Sequence, residues 1–253
     1  MDKKVTNHIA ANETTHNQSL IARKPVQIAR GFSKGTTMRK TKPATDYPPE
    51  EGRYLRGNDF SSVAVVVTLN GDYEHIPPIV ESLVRAAVEN GAALAGTLQT
   101  ANVGIEKIVA NVVANPNIRY LLVCGNEVKG HLAGEALCAL LEQGIDQRRV
   151  IVGTRAPTAY LFNIPVTAID RFRKQLTLMD LREETDPGVV GEAVRACYQE
   201  HPTPFNRYSL YDPGAYPEPP ISTKITWRIT RPEEVEEWEI EGILEQIEGE
   251  ERK

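Results

Sequence analysis

Ile118-Arg-Tyr-Leu-Leu-Val-Cys124, followed at once by Gly125-Asn-Glu-Val-Lys-Gly-His-Leu-Ala-Gly-Glu-Ala136, decides the fold class. The first part is a short apolar run of strand length. Leu137, Leu140 and Leu141 then repeat at helical spacing until Gly144, a helix stop. A strand that feeds a helix through a glycine-bearing loop is the unit of a parallel sheet. The single histidine, His131, falls at the mouth of that helix. In such sheets ligands bind outside the carboxyl ends of the strands.

The same alternation extends upstream. Val63-Ala-Val-Val-Val-Thr-Leu69 has the β-branched, unbroken apolarity of a strand buried on both faces. Ile79, Val80, Leu83, Val84, Ala87 and Val88 form a helical stripe closed by Gly91. Residues 92–98 read as a weaker strand. Ile105, Ile108, Val109, Val112 and Val113 form a second helix face that stops before Pro116. Downstream, Val150-Ile-Val152 reads as another short strand, and Leu176 and Leu178 suggest an edge strand. The expected class is α/β, a Rossmann-like parallel sheet flanked by helices, with N- and C-terminal extensions. The expected organisation is a basic arm over 1–45, a ligand-binding domain over 46–185 and a C-terminal extension over 186–253. In that extension Phe205, Tyr208 and Tyr211 could pin a proline-rich segment to the surface.

Composition narrows the function. The net charge of −5 gives no reason to expect nucleic acid as a partner. Three widely spaced cysteines, Cys124, Cys138 and Cys197, form no Cys-x-x-Cys pair and argue for a reducing compartment. No secretory signal or membrane-length apolar run is legible, so the expectation is a cytoplasmic chain without a membrane span. Charge is uneven. Residues 1–46 carry nine bases against three acids, whereas residues 232–253 carry ten glutamates against two bases. Val235, Trp238, Ile243, Leu244 and Ile247 suggest that the acidic stretch is a surface helix docked by Trp238.

Three loops are expected at the strand ends: Thr97-Leu-Gln-Thr-Ala-Asn-Val-Gly104, Cys124 to His131, and Gly153-Thr-Arg155. Each joins small residues to hydrogen-bonding side chains, and helix starts after them could offer N–H groups to a ligand. The dinucleotide and P-loop fingerprints are absent, and so are Gly-x-Ser-x-Gly and any His-x-x-x-His pair. His8, His16, His75 and His201 lie in arms or connecting segments. A metal bound through His131 alone would have to bring its other ligands with it. A corrin macrocycle does so, with four ring nitrogens and one axial position left for protein.

Four stretches resemble a known family: Tyr47-Pro-Pro-Glu-Glu-Gly-Arg-Tyr-Leu-Arg-Gly-Asn-Asp59, Leu98-Gln-Thr-Ala-Asn-Val-Gly-Ile-Glu-Lys-Ile-Val-Ala-Asn111, Asn115-Pro-Asn-Ile-Arg119 and residues 124–134. They are similar to the A subunit of tetrahydromethanopterin S-methyltransferase, over roughly residues 47–182. The resemblance implies a cobalamin-type cofactor, of the 5-hydroxybenzimidazolylcobamide kind, with His131 as axial cobalt ligand. It implies that Thr100, Asn102, Gly104, Gly125, Gly130 and Gly153 lie near the corrin. In the family the cobalt takes a methyl group from methyl-tetrahydromethanopterin and passes it to coenzyme M in methanogenesis, coupled to sodium export. Other methyltransferase subunits are the implied partners. Electron-rich Co(I) disfavours an axial ligand and methylated cobalt accepts one, so His131 would bind and release with the methylation state.

The sequence departs from reference patterns in two places. Many B12 domains carry Asp-x-His-x-x-Gly, but here Lys129 stands two before His131, leaving Glu127 and Glu135 as local candidates to orient the imidazole. The resemblance implies a C-terminal membrane helix, whereas residues 232–253 read as a glutamate-rich surface helix, so the expectation is a homologue without membrane anchoring or sodium pumping. The expected activity is that of a corrinoid methyl carrier. The alternatives are a storage, delivery or sensing protein, and an α/β interaction module without cofactor.

Overall fold

The computed structural model describes residues 39–70 and 75–226. The basic arm up to residue 38, with His8 and His16, and the acidic stretch with Trp238 lie outside the described residues.

A five-stranded sheet has the order β1-β3-β2-β4-β5, comprising Tyr54–Arg56, Leu94–Leu98, Val63–Thr68, Tyr120–Gly125 and Thr177–Arg182. Every residue of β2 and β4 is buried, which accounts for their uninterrupted apolar sequence. β3, β2, β4 and β5 are mutually parallel. The short β1 runs antiparallel to β3, so the sheet is mixed rather than wholly parallel.

Five helices complete the main fold: α1 (Pro78–Glu89), α2 (Val103–Val113), α3 (Ala133–Gln143), α4 (Val166–Gln175) and α5 (Pro187–Cys197). Alternate residues of β2 serve opposite faces. Val63, Val65 and Val67 meet Leu83 and Ala87 of α1 and Val190 and Val194 of α5. Ala64 and Val66 belong to a second core with Val109 of α2, Leu137 of α3 and Phe172 of α4. The crossovers from β2 to β3 and from β4 to β5 lead in opposite directions, so the topological switch point lies between β2 and β4.

Local signals set the helix ends. Pro78 begins α1, where its missing N–H costs no hydrogen bond. Asp186 caps α5 by accepting from the Gly188 N–H at 2.7 Å.

The expected strand at residues 150–152 is not part of the sheet. Val150 and Ile151 form isolated antiparallel bridges to Tyr160 and Ile145. Only Ile151 of the three is buried, so the run lies on the outside of the fold. The edge position foreseen for the segment after Leu176 is that of β5.

After α5, β6 (Thr203–Phe205) and β7 (Tyr208–Leu210) form a small hairpin. The buried Tyr208 hydroxyl accepts from the Asp180 N–H at 3.0 Å and pins the hairpin beside β5. The chain then runs back over α2 and α4 as an extended strap. Its Tyr216 N–H donates to the Pro116 carbonyl at 2.8 Å and its Ile221 N–H to the Val113 carbonyl at 3.0 Å.

Candidate functional site

The loop leaving β4 sits at the switch point. Gly125, with φ of +85°, ends the strand there. The Thr68 hydroxyl on β2 donates to the carbonyls of Cys124 and Asn126, tying the two strand ends together. A turn follows in which the His131 N–H donates to the Val128 carbonyl at 3.1 Å. Gly130 takes φ of +80°, a left-handed geometry that a side chain resists, and open space lies where its Cβ would be. His131 is exposed at the end of this turn. Leu132 is left-handed at φ 49°, ψ 42°, a conformation costing about 1 kcal/mol in a residue with a Cβ. It is held there by its own N–H, which donates to Val128, and by its carbonyl, which accepts from Ala136.

Glu127 fixes the base of the loop. Its carboxylate accepts from the N–H groups of Val128 at 2.8 Å, Gly134 at 3.0 Å and Glu135 at 2.7 Å. The positive end of α3 is thus neutralised from within the chain and is not open to an external anion. Glu135 is engaged elsewhere, with Arg155 at 2.6 Å. This pairing holds its carboxyl below the usual range and the Arg155 guanidinium above its own. Each of the two expected orienting carboxylates therefore has another task.

The other expected residues divide. Thr100 and Gly104 are adjacent, the Gly104 N–H donating to the Thr100 hydroxyl at 3.1 Å, and both line a cavity of about 290 Å³. Asn102 stands between them at the start of α2, where its carbonyl accepts from the Glu106 N–H. The cavity lies under α2 against β1 and β3. Ala64, Leu94 and Ile108 give it an apolar wall, and Arg53 and Lys107 also line it. Its size is at the lower end for small-molecule pockets. His131, Gly125 and Gly130 are not among its walls.

Gly153 is separate again. A Cβ there would meet only the movable end of the Gln143 side chain, and it is the φ of +81° that suits glycine at this turn. Because the run at 150–152 is not a sheet strand, Gly153-Thr-Arg155 is not a strand-end loop. Thr154 and Arg155 return to the first turn of α3, both donating to Glu135. Two of the three expected loops therefore lie at the sheet's carboxyl edge, after β3 and after β4.

Sequence reading missed three buried asparagines, of which Asn111 lines the cavity. Asn111, buried on α2, accepts from the Glu50 N–H at 2.8 Å and donates to the Glu50 carbonyl at 2.9 Å. Asn115 and Asn117 both donate to the Asp59 carbonyl. The signal was their placement within and just after an apolar helix face, where an unpaired amide would be costly. Among the described residues, no group of three or more His, Cys, Asp or Glu side chains could hold a metal ion, and no helix is long and apolar enough to cross a membrane.

A doubly wound sheet with an exposed imidazole at its switch point and a cavity under α2 defines an α/β domain of the Rossmann-like kind in outline, with a candidate site at each place. Comparison with known proteins gives the particular one. The family model for the A subunit of tetrahydromethanopterin S-methyltransferase matches residues 40–218. The A 1 subunit of the Methanothermobacter marburgensis enzyme is 38% identical over 172 residues, covering 68% of each chain. The A 2 subunit from the same organism is 41% identical over 177 residues, 70% of this chain and 84% of the relative. The A subunit of the Methanocaldococcus jannaschii enzyme is 37% identical over 183 residues, 72% of this chain and 67% of the relative. The chain belongs to the family of tetrahydromethanopterin S-methyltransferase A subunits. The match runs past Arg182, the end of the resemblance legible in the sequence, because α5, the hairpin and much of the strap pack on the same sheet and helices.

Proposed function

We propose that this chain is the corrinoid-carrying subunit of a methyltransferase system, with His131 as the residue that would hold its cobalt. Family membership supports the reading, and one observation carries it: an exposed imidazole on a turn clamped at its base by Glu127. The donor set fits the group. With no cluster of ligating side chains among the described residues, a metal at His131 must arrive with its other donors, as cobalt in a corrin does. A bound corrinoid supplies a cobalt that accepts a methyl group and yields it to a thiolate.

The chain's own residues bind and orient. His131 would offer an imidazole nitrogen at the protein surface. Gly130, without a side chain, lets a flat ligand approach the turn closely. Glu127, held by three N–H groups, fixes the base of the turn that would present the imidazole. Thr100 and Gly104 would hold a smaller part of the same ligand at the cavity. By family membership the methyl donor is methyl-tetrahydromethanopterin, the acceptor coenzyme M, the setting methanogenesis and the partners other subunits of the transferase. Cytoplasmic placement belongs to the same proposal.

The test is to reconstitute the chain with cobalamin and record visible and electron paramagnetic resonance spectra. Retained colour with nitrogen coupling to cobalt is expected, and His131→Ala should lose that coupling. A chain that stays colourless under both reducing and oxidising conditions would refute the proposal.

A further inference from the structure

Between α3 and α4 an apolar face is exposed among the described residues. Val150 and Tyr160 are bridge partners, so their side chains share a side, and Val152 and Phe162 follow two residues on. The Tyr160 and Phe162 rings stack with centroids 4.9 Å apart. The alternating residues Ile151, Ala159 and Leu161 enter the core, whereas Val150, Val152 and Tyr160 are 36%, 40% and 36% exposed. A half-buried antiparallel pair ordinarily turns polar side chains outward. Four large apolar ones side by side mark an interaction surface.

The chain itself is delivered to the rim of this face. The Thr226 N–H donates to the Asn163 carbonyl at 3.0 Å, one residue past Phe162. That anchor is firm, because the Asn163 N–H and side-chain amide donate to the buried Glu106 carboxylate at 2.8 and 3.0 Å. The next residue is Trp227; Trp227 and Trp238 are the chain's two tryptophans. Charge is complementary as well. Residues 232–253 hold ten glutamates and two bases. The guanidinium side chains of Arg148 and Arg155, beside the face, are 85% and 82% exposed despite their partners Asp146 and Glu135.

We propose that the segment from Trp227 onward folds back on its own chain and covers the Val150, Val152, Tyr160 and Phe162 face, its glutamates meeting Arg148 and Arg155. A segment leaving at Asn163 starts in contact with this surface, so its effective concentration exceeds that of any free partner.

Tryptophan emission from the full chain reads the contact directly, since both reporters lie in the proposed occupant. The expected result is a blue-shifted maximum and several-fold weaker acrylamide quenching than for a synthetic peptide of residues 227–253. Val152→Glu with Tyr160→Glu should raise quenching to the peptide's level with far-ultraviolet circular dichroism unchanged. Should that variant unfold, Arg148→Glu with Arg155→Glu, on exposed side chains, should likewise raise quenching. Native quenching equal to the peptide's overturns the proposal, as does protection that survives both sets of substitutions. Protection that vanishes on dilution as a dimer dissociates overturns it too, because the segment of a second copy then covers the face.

Discussion

Glu127 shows how much one carboxylate can decide. Three N–H groups point at it, two of them from the first turn of α3, and together they bind the loop to the helix. Glu127→Ala should lower stability by about 1–2 kcal/mol in urea unfolding. Amide exchange should quicken between Val128 and Glu135, whereas Glu127→Gln, which keeps acceptor capacity on one oxygen, should fall between the two. The cysteines set a second expectation. Burial pushes the thiols of Cys124 and Cys138 up to about 12 and that of Cys197 upward as well. An acid whose folded pKa lies above its unfolded value, about 8.5 for a thiol, favours folding fully below the lower value. That contribution is lost as pH rises through the upper one. The urea midpoint should therefore fall between about pH 9 and pH 12. A thiol-reactive dye at pH 8 should label the native chain hardly at all and label all three cysteines once it is unfolded.

Edge strand β1 tests the next scale. A Cβ on Gly96 would lie 2.7 Å from the Tyr54 Cβ and 2.8 Å from the Arg53 carbonyl oxygen, so only a residue without a side chain lets β1 lie on β3. Gly96→Ala should cost about 1–3 kcal/mol by thermal unfolding and strip amide protection from Tyr54–Arg56 while sparing β2 and β4. The elements legible in the sequence were those with unbroken apolarity or a clean helical stripe, such as β2, β4 and α1. β1 is three residues long and offered no period to read. In α4 the stripe is broken by Arg171 and Gln175, which are polar yet buried. In α5, Gly188 and Gly191 interrupt the apolar stripe, and Gly191 lets α5 close on the Asn90 side chain after α1, where a Cβ would meet it at 2.7 Å. Val150-Ile-Val152 misled for the opposite reason, because β-branched residues signal extended backbone without saying which sheet, if any, receives it. The site divided along the same lines. The His131 loop follows from its place after β4. The cavity does not, because its walls come from strands distant in sequence and its rim is stitched by Asn111 to Glu50.

At the scale of the molecule, the strap after the hairpin closes the fold by returning to its beginning. The Ala215 N–H donates to the Arg39 carbonyl at 2.7 Å, the Ile225 N–H to the Glu50 carboxylate at 2.7 Å, and Asp212 holds Lys40 at 2.6 Å. Residues 39–50 are thus gripped between the strap and α2, and through Asn111 they set the cavity's rim. Arg171 is the clasp. It is buried, donates to Gln175 at 2.8 Å and to the Glu218 carbonyl at 3.0 Å, and stacks over the Tyr216 ring at 4.2 Å. Burial lowers its pKa, opposed mainly by Glu218, yet a guanidinium so placed keeps its charge. The two ends of this ion pair are unequal, since the Arg171 side chain is 3% exposed and that of Glu218 65%. Removing the exposed carboxylate should cost little, whereas removing the buried cation should leave a ring face, an amide and a carbonyl without their partner. Arg171→Ala should therefore destabilise by about 2–3 kcal/mol and Glu218→Ala by less than about 1 kcal/mol, measured by urea unfolding. Limited proteolysis separates loss of the clasp from general loosening. In Arg171→Ala the first cuts should fall between residues 217 and 226, with the sheet still intact, and protection of Glu50 should drop with them. Equal losses from both variants would mean that the exposed ion pair, rather than the buried stack on Tyr216, closes the fold.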